Sequence, residues 1–228
     1  MDSVGLILTL YNDMPEAKLA YGTLFPSCRV VKPSLIVVDA GSTDGGRAYF
    51  CTKMLELPHS HIHLSAALNA GIFYYLSLVT KPTYIGWIHP DMEFTQVGWL
   101  DILISCLKLH PEVGKIGPEV RDTGKPDWRR ENQCPWLTPT HILQEVLSKD
   151  GYIFDEQFKY CGGYEDWDLN RRLLGMGYQT IVTNQARVKH EGMVSRKKPR
   201  VDQPDYHKAD RLNAAYYAKK WGDNIEIL

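Results

Sequence analysis

Leu35-Ile36-Val37-Val38-Asp39-Ala40-Gly41-Ser42-Thr43-Asp44-Gly45-Gly46 decides the fold class. Its four leading apolar residues have the length and branching of a strand buried on both faces, and the glycines and hydroxyls that follow make a turn. A doubly buried strand belongs inside a sheet covered by helices on each side. Its neighbours in the chain should therefore alternate between strand and helix.

They do. Upstream, Val4–Leu10 is an apolar run of buried-strand length, followed by Asn12-Asp13 as a helix-cap signal, Pro15 in the first turn and a helical stretch to about Leu24. Downstream, residues 62–64 read as a weaker third strand, and Ser65 caps a helix running to about Val79. Tyr84–Ile88 is a fourth strand, broken by His89-Pro90-Asp91, and a helix covers residues 97–110. This order predicts an α/β fold with a Rossmann-like, mostly parallel central sheet flanked by helices, whose ligands bind beyond the carboxyl ends of the strands. Polar residues wait at those ends: Thr9 and Tyr11 after the first strand, Asp39 after the second, Asp91 after the fourth.

Residues 115–153 are irregular, with Pro118, Pro126, Pro135 and Pro139, and read as loops and short strands that build the second half of a cleft. A helix follows from Glu165 to Gly175 or Gly177, with Leu169, Leu173 and Met176 as its apolar stripe. Glu165 and Asp166 precede Leu169 by four and three residues, so both project near the buried side of the first turn. Asp168 has Arg171 and Arg172 at i+3 and i+4, an ordinary surface pairing. Acids also favour a helix start because of its dipole, so the cluster by itself carries half an argument. A strand-like run then ends at His190, residues 192–207 are a polar, basic and proline-containing mobile loop, and an amphipathic helix covers about residues 210–221.

At 228 residues and 44% hydrophobic, the chain can bury one sizeable core as a single domain. Its 26 basic and 27 acidic residues create no global field for nucleic acid or an anionic membrane. The five cysteines, Cys28, Cys51, Cys106, Cys134 and Cys161, are widely spaced without a CxxC, which argues against a disulfide framework or structural zinc. No leader-like segment opens the sequence and no apolar run reaches the 18 residues of a membrane span, so a soluble, cytoplasmic protein is expected.

Seven motifs in order carry a family resemblance: Leu8-Thr9-Leu10-Tyr11-Asn12, Ile36 to Gly45 as quoted above, Ala67-Leu68-Asn69-Ala70-Gly71-Ile72, Trp87-Ile88-His89-Pro90-Asp91, Phe154-Asp155-Glu156, Tyr164-Glu165-Asp166-Trp167-Asp168-Leu169, and Val188-Lys189-His190. Together they resemble the family 2 glycosyltransferases of the GT-A fold over residues 4–191, and Tyr216-Tyr217-Ala218-Lys219-Lys220-Trp221-Gly222 continues the likeness. The resemblance implies one GT-A domain: residues 1–94 as a nucleotide-sugar-binding half, 95–191 as an acceptor and catalytic half, and 192–228 as a lid loop and terminal helix. It implies an inverting transfer of sugar from a nucleotide diphosphate donor, with uridine or thymidine as the nucleoside, to an acceptor hydroxyl. The acceptor class stays open among glycan, lipid-linked, protein and modified-base substrates.

By the same resemblance, Thr9, Tyr11 and Asp39 contact base and ribose, and Asn69 shapes the donor pocket. Asp91 matches the last acid of the family's DxD element and holds Mn²⁺ or Mg²⁺ across the two phosphates, with His190 completing the site. Asp166, with Glu165 beside it, matches the general base. The chemistry agrees: hard cations take carboxylate oxygens, and displacement needs a base on the acceptor side.

One position departs from the pattern. His89 replaces the first acid of DxD, the one that tends to touch ribose, so the element reads His-Pro-Asp; Glu93 is either a substitute ligand or a loop acid. Arg196 and Lys197, with Lys198 and Arg200, suit phosphate oxygens as part of a lid or form a solvated loop. His59, His61 and His63 alternate without accompanying acids and read weakly as a metal site, while Trp128 and Trp136 line an acceptor groove or pack in the core. Two competing functions remain: a glycosyltransferase acting on modified DNA bases, and a catalytically silent nucleotide- or glycan-binding module on the same scaffold.

Overall fold

A computed structural model describes residues 2–50, 54–57, 63–122, 135–159, 163–190 and 206–222. The strands are β1 (Val4–Leu10), β2 (Ser34–Asp39), β3 (Met54–Glu56), β4 (Tyr84–Ile88), β5 (Met92–Glu93), β6 (Val113–Asp122), β7 (Trp136–Pro139) and β8 (Gln179–His190). The helices are α1 (Met14–Ser27), α2 (Gly46–Phe50), α3 (Leu64–Ser77), α4 (Trp99–Leu109), α5 (Thr140–Asp150), α6 (Glu165–Gly175) and α7 (Tyr206–Trp221). All strands join one sheet in the order β3-β2-β1-β4-β7-β6-β8-β5, which runs through both expected halves of the chain.

Every residue of β1 and β4 is buried, as expected for strands covered on both faces. The largest fully buried side chains include Trp87, Trp99 and Trp136, which centre the core on the middle of the sheet. Gly86 permits this: a Cβ there would lie 2.5 Å from the backbone oxygen of Trp136, so only glycine lets β4 and β7 pair this closely.

Strand direction positions the site. β1 runs parallel to β2 and β4, whereas β7 is antiparallel to both β4 and β6, so two reversals return β6 to the direction of β4. β8 is parallel to β6 and ends at His190 on the same edge as the carboxyl ends of β1, β2 and β4. β5 then folds back antiparallel on β8, pairing Met92 with His190, and this draws Asp91 to the end of β8.

Several expectations are corrected. The third strand is Met54–Glu56, half-buried and held by its parallel ladder to Val37, Val38 and Asp39. The stretch expected to be a strand at residues 62–64 instead leads into α3: His63 is the N-cap, Leu64 opens the helix and Ser65 lies buried in its first turn, while Ile62 lies outside the described residues. The described residues within 115–153 are more regular than their prolines suggest. Pro118 sits at a register shift in β6, Pro139 ends β7, and α5 follows, with Ile142, Leu143 and Val146 buried at helical spacing and Gly151 ending it at φ 81°. α7 begins at Tyr206, so the last residues of the expected loop are helical. Among the described residues, no helix is long and apolar enough to cross a membrane.

Candidate active site

The edge formed by the carboxyl ends of β1, β2, β4 and β8 gathers most of the residues singled out from sequence. Asn12, at φ 55°, turns the chain after β1 and interlocks with the loop after β2: its N–H donates to Ser42 Oγ at 3.0 Å, and its Oδ1 accepts the Thr43 N–H at 2.6 Å. Asp44 accepts the Met14 N–H at 2.7 Å, so the start of α1 is capped from that loop and not by Asp13. Asp39, 1% exposed, accepts the Ser42 N–H at 3.0 Å and the Ser42 hydroxyl, with Arg47 Nε at 3.7 Å. Thr9 accepts the Trp87 indole N–H at 3.2 Å, and Tyr11 lies half-buried just beyond β1.

Asp91 and His190 meet as the strand directions require, with His190 Nε2 3.0 Å from Asp91 Oδ1. Burial works to raise the Asp91 pKa, but the His190 hydrogen bond and the charges of His89 and His190 outweigh it and hold it at about 2. The His89 ring lies against Trp87 at a 40° tilt with ring centroids 4.3 Å apart and faces the His190 ring at 5.3 Å. Ligand atoms of His89, Asp91 and His190 all lie within 4.8 Å of one another, a grouping that could hold a metal ion. Glu93 is not in that group; it pairs with Lys189 at 3.0 Å across the β5–β8 ladder.

The start of α6 supplies the acids. Tyr164, at φ 77°, turns the backbone sharply into the helix and directs Glu165 and Asp166 inward as the apolar spacing predicts. Glu165 is buried, and the Asp166 side chain keeps 15% of its exposure. Burial raises the Asp166 pKa, opposed by Lys115 Nζ at 3.4 Å and by the Trp136 indole. Lys115 is 3% exposed, donates to Asn170 Oδ1 at 2.9 Å and lies 5.6 Å from the Trp136 ring centre. The sequence reading missed Lys115 because β6 looked like loop; a lone lysine within the apolar first half of the strand, Val113–Pro118, was the available signal. Trp136 belongs to the core, 1% exposed.

The expected surface pairing of Asp168 is corrected. Asp168 is fully buried and binds Arg172 Nε at 2.9 Å, Lys220 Nζ at 2.7 Å and the Trp221 indole N–H at 3.0 Å. Lys220 also reaches Asp155 at 2.7 Å, and Arg172 reaches Asp150 at 3.1 Å. Because α7 packs over α6, this i, i+4 pair became the centre of a buried network that clamps the two helices together. Arg171 instead stacks over Trp221 at 5.0 Å. Asn69 is also buried: its amide donates to the Phe154 carbonyl at 2.8 Å and to Glu156 at 2.9 Å, and its oxygen accepts the Phe154 N–H at 2.9 Å. It thus fastens α3 to the loop ahead of α6. Arg196, Lys197, Lys198, Arg200, His59, His61 and Trp128 lie outside the described residues.

No family model matches the chain, and no curated protein matches it by sequence. Solved structures match it by shape. Glucosyl-3-phosphoglycerate synthase from Mycobacterium tuberculosis, in complex with Mg²⁺ and uridine diphosphate, superposes with a TM-score of 0.67 at 13% identity over 99% of this chain and 81% of that one. TarS from S. aureus, in complex with UDP-GlcNAc, gives a TM-score of 0.64 at 13% identity over 98% of this chain and 68% of that one. The mannosyltransferase PcManGT from Pyrobaculum calidifontis, in complex with GDP-Man and Mn²⁺, gives 0.63 at 16% identity over 97% and 65%. At these identities the likeness is one of fold: the chain has the GT-A architecture that its ordered motifs imply.

Proposed function

We propose that this protein is a metal-dependent glycosyltransferase that moves a sugar from a nucleotide diphosphate sugar to an acceptor hydroxyl with inversion. The observation that carries the reading is the meeting of Asp91, His190 and His89 at the strand-end edge of the sheet, on the same side as Thr9, Tyr11 and Asp39. Glycosyltransferases of this fold that bind UDP, UDP-GlcNAc or GDP-Man support it. Imidazole nitrogens and a carboxylate oxygen fit a divalent cation of the Mn²⁺ type. When bound, such a cation neutralises charge developing on the departing diphosphate.

The chain's own groups do the rest. Asp39, Thr9 and Tyr11, at the carboxyl ends of β1 and β2, are assigned to the nucleoside side of the site, where hydrogen bonds of Asn12 and Asp39 interlock the following loops. Asp166 accepts the proton of the acceptor hydroxyl, a role typically worth about 10²–10⁴-fold in rate. Lys115 positions and charges that base: its ammonium favours the carboxylate form against the burial that opposes it. Glu165, buried beside Asp166, shapes the same wall. Arg196 and Lys197, which lie outside the described residues, are proposed to meet the diphosphate.

Thermal unfolding against a panel of uridine-, thymidine- and guanosine-diphosphate sugars with Mn²⁺ tests the proposal, because a ligand of the folded state raises the melting temperature. At least one donor should do so and be hydrolysed slowly without acceptor. A panel that leaves the melting temperature unchanged would refute donor use, and tight binding without any turnover would favour the silent module.

A further inference from the structure

We propose that His89 is a direct metal ligand, so that the site is a set of two histidines and one carboxylate that selects transition cations over Mg²⁺ and holds them before any nucleotide arrives. The inference deepens the glycosyltransferase reading, since it concerns the same metal.

The geometry is the first argument. A six-coordinate cation with bonds of roughly 2.1 Å places neighbouring ligand atoms roughly 3.0 Å apart and opposite ones roughly 4.2 Å apart. Asp91 Oδ1 and His190 Nε2 are already 3.0 Å apart, and all three residues offer atoms within a 4.8 Å span. Small side-chain rotations bring such a trio onto one face of a cation, leaving the other positions to diphosphate oxygens and water.

Rigidity is the second argument. Trp87 is 1% exposed, its indole N–H is fixed on Thr9, and its ring lies against the His89 imidazole at a 40° tilt with centroids 4.3 Å apart, so the imidazole rests on a support built into β4. Pro90 is buried next to it and stiffens the tight turn between His89 and Asp91. A site organised in this way needs no phosphate to assemble it.

Donor chemistry is the third. Mg²⁺ favours carboxylate and water oxygens in near-ideal octahedral geometry, whereas imidazole suits the later first-row cations, with affinity rising from Mn²⁺ through Co²⁺. An aspartate in place of His89 would give two carboxylates and restore a harder site. The chain instead supplies two imidazole nitrogens and a single carboxylate, and Glu93 is engaged with Lys189.

The test uses the whole, metal-stripped chain and titrates MnCl₂, CoCl₂ and MgCl₂ alone by calorimetry, with Co²⁺ visible absorption as a report of nitrogen ligation. Wild type should bind Mn²⁺ without nucleotide at least about tenfold more tightly than Mg²⁺, and Co²⁺ more tightly still. His89→Gln should weaken Mn²⁺ and Co²⁺ about 10- to 100-fold, the range found even for groups that merely orient a metal ligand. His89→Asp, checked for an unchanged circular dichroism spectrum, should keep Mg²⁺ binding and lose most of the preference for Co²⁺. Unchanged Mn²⁺ affinity in His89→Gln, or equal Mg²⁺ and Mn²⁺ affinity in the wild type, would overturn the assignment. UDP added to the Mn²⁺-loaded protein separates the two claims: metal titrations as expected with no UDP binding would overturn the glycosyltransferase reading and leave the ligand set standing.

Discussion

Replacing Asp168 by alanine should lower stability without touching the chemistry, and the structure sets the size of the loss. The carboxylate is fully buried and holds two cations, Arg172 at 2.9 Å and Lys220 at 2.7 Å, whose side chains are only 6% and 19% exposed. Removing one partner of a buried ion pair costs about 3–5 kcal/mol, chiefly because the other charge is left uncompensated. Here each cation keeps another carboxylate, Asp150 for Arg172 and Asp155 for Lys220. The cost therefore belongs at the lower end, about 3 kcal/mol. For a chain of this size that is a fall in melting temperature of about 6–12 °C. Thermal unfolding by circular dichroism measures it, and donor turnover per folded molecule, taken below the transition, should stay within about threefold of wild type. A melting temperature within about 2 °C of wild type, with turnover down by orders of magnitude, would move the catalytic role from Asp166 to Asp168 and refute the reasoning.

Three further outcomes are expected. Asp166→Asn should retain donor affinity and lose about 10²–10⁴-fold in kcat; retention of full kcat would remove Asp166 from the chemistry. Because burial raises the Asp166 pKa and only the deprotonated form accepts a proton, the acid limb of kcat should lie above the ordinary carboxylate range. Lys115→Met removes the main group opposing that rise, so the limb should move to higher pH; an unmoved limb would reduce Lys115 to a packing residue. Gly86→Ala forces a methyl to within 2.5 Å of the Trp136 carbonyl and should cost about 1–3 kcal/mol by thermal unfolding, whereas Gly22→Ala, with nothing within 4 Å of the new methyl on α1, should be neutral or stabilising by up to about 1 kcal/mol.

The parts of this fold legible in sequence are those where burial is two-sided or periodic. Val4–Leu10 and Tyr84–Ile88 are apolar but for Thr9 because both faces are covered, and α6 starts at Glu165 as its apolar stripe predicts. β3 was illegible because its three residues, two half-buried and one exposed, gain their order from backbone pairing with β2, which leaves no side-chain pattern. α5 was hidden by prolines that punctuate β6 and β7 and do not interrupt the helix itself. The placement of Asp39 and Asp91 at strand ends was legible. Contacts were not legible where partners come from far along the chain: Lys115 reaches Asp166 from 51 residues away, and Trp221 reaches Asp168 from 53. The same distance effect turned Asp168 from an expected surface acid into the hub of a buried network. His89 stood out in sequence only as a departure from DxD; its contact with the Trp87 ring and its closeness to Asp91 and His190 follow from β5 folding back on β8.

In the proposed mechanism Asp91 and its histidine neighbours bind a metal through which a nucleotide diphosphate sugar is held. Calorimetric titration of the wild type and Asp91→Ala with the donor found by thermal unfolding, with Mn²⁺ and then with excess EDTA, tests it most directly. The account predicts saturable binding that needs Mn²⁺ and is lost in Asp91→Ala. Equal affinity with Mn²⁺ and with EDTA, or undiminished Mn²⁺-dependent binding in Asp91→Ala, would contradict it.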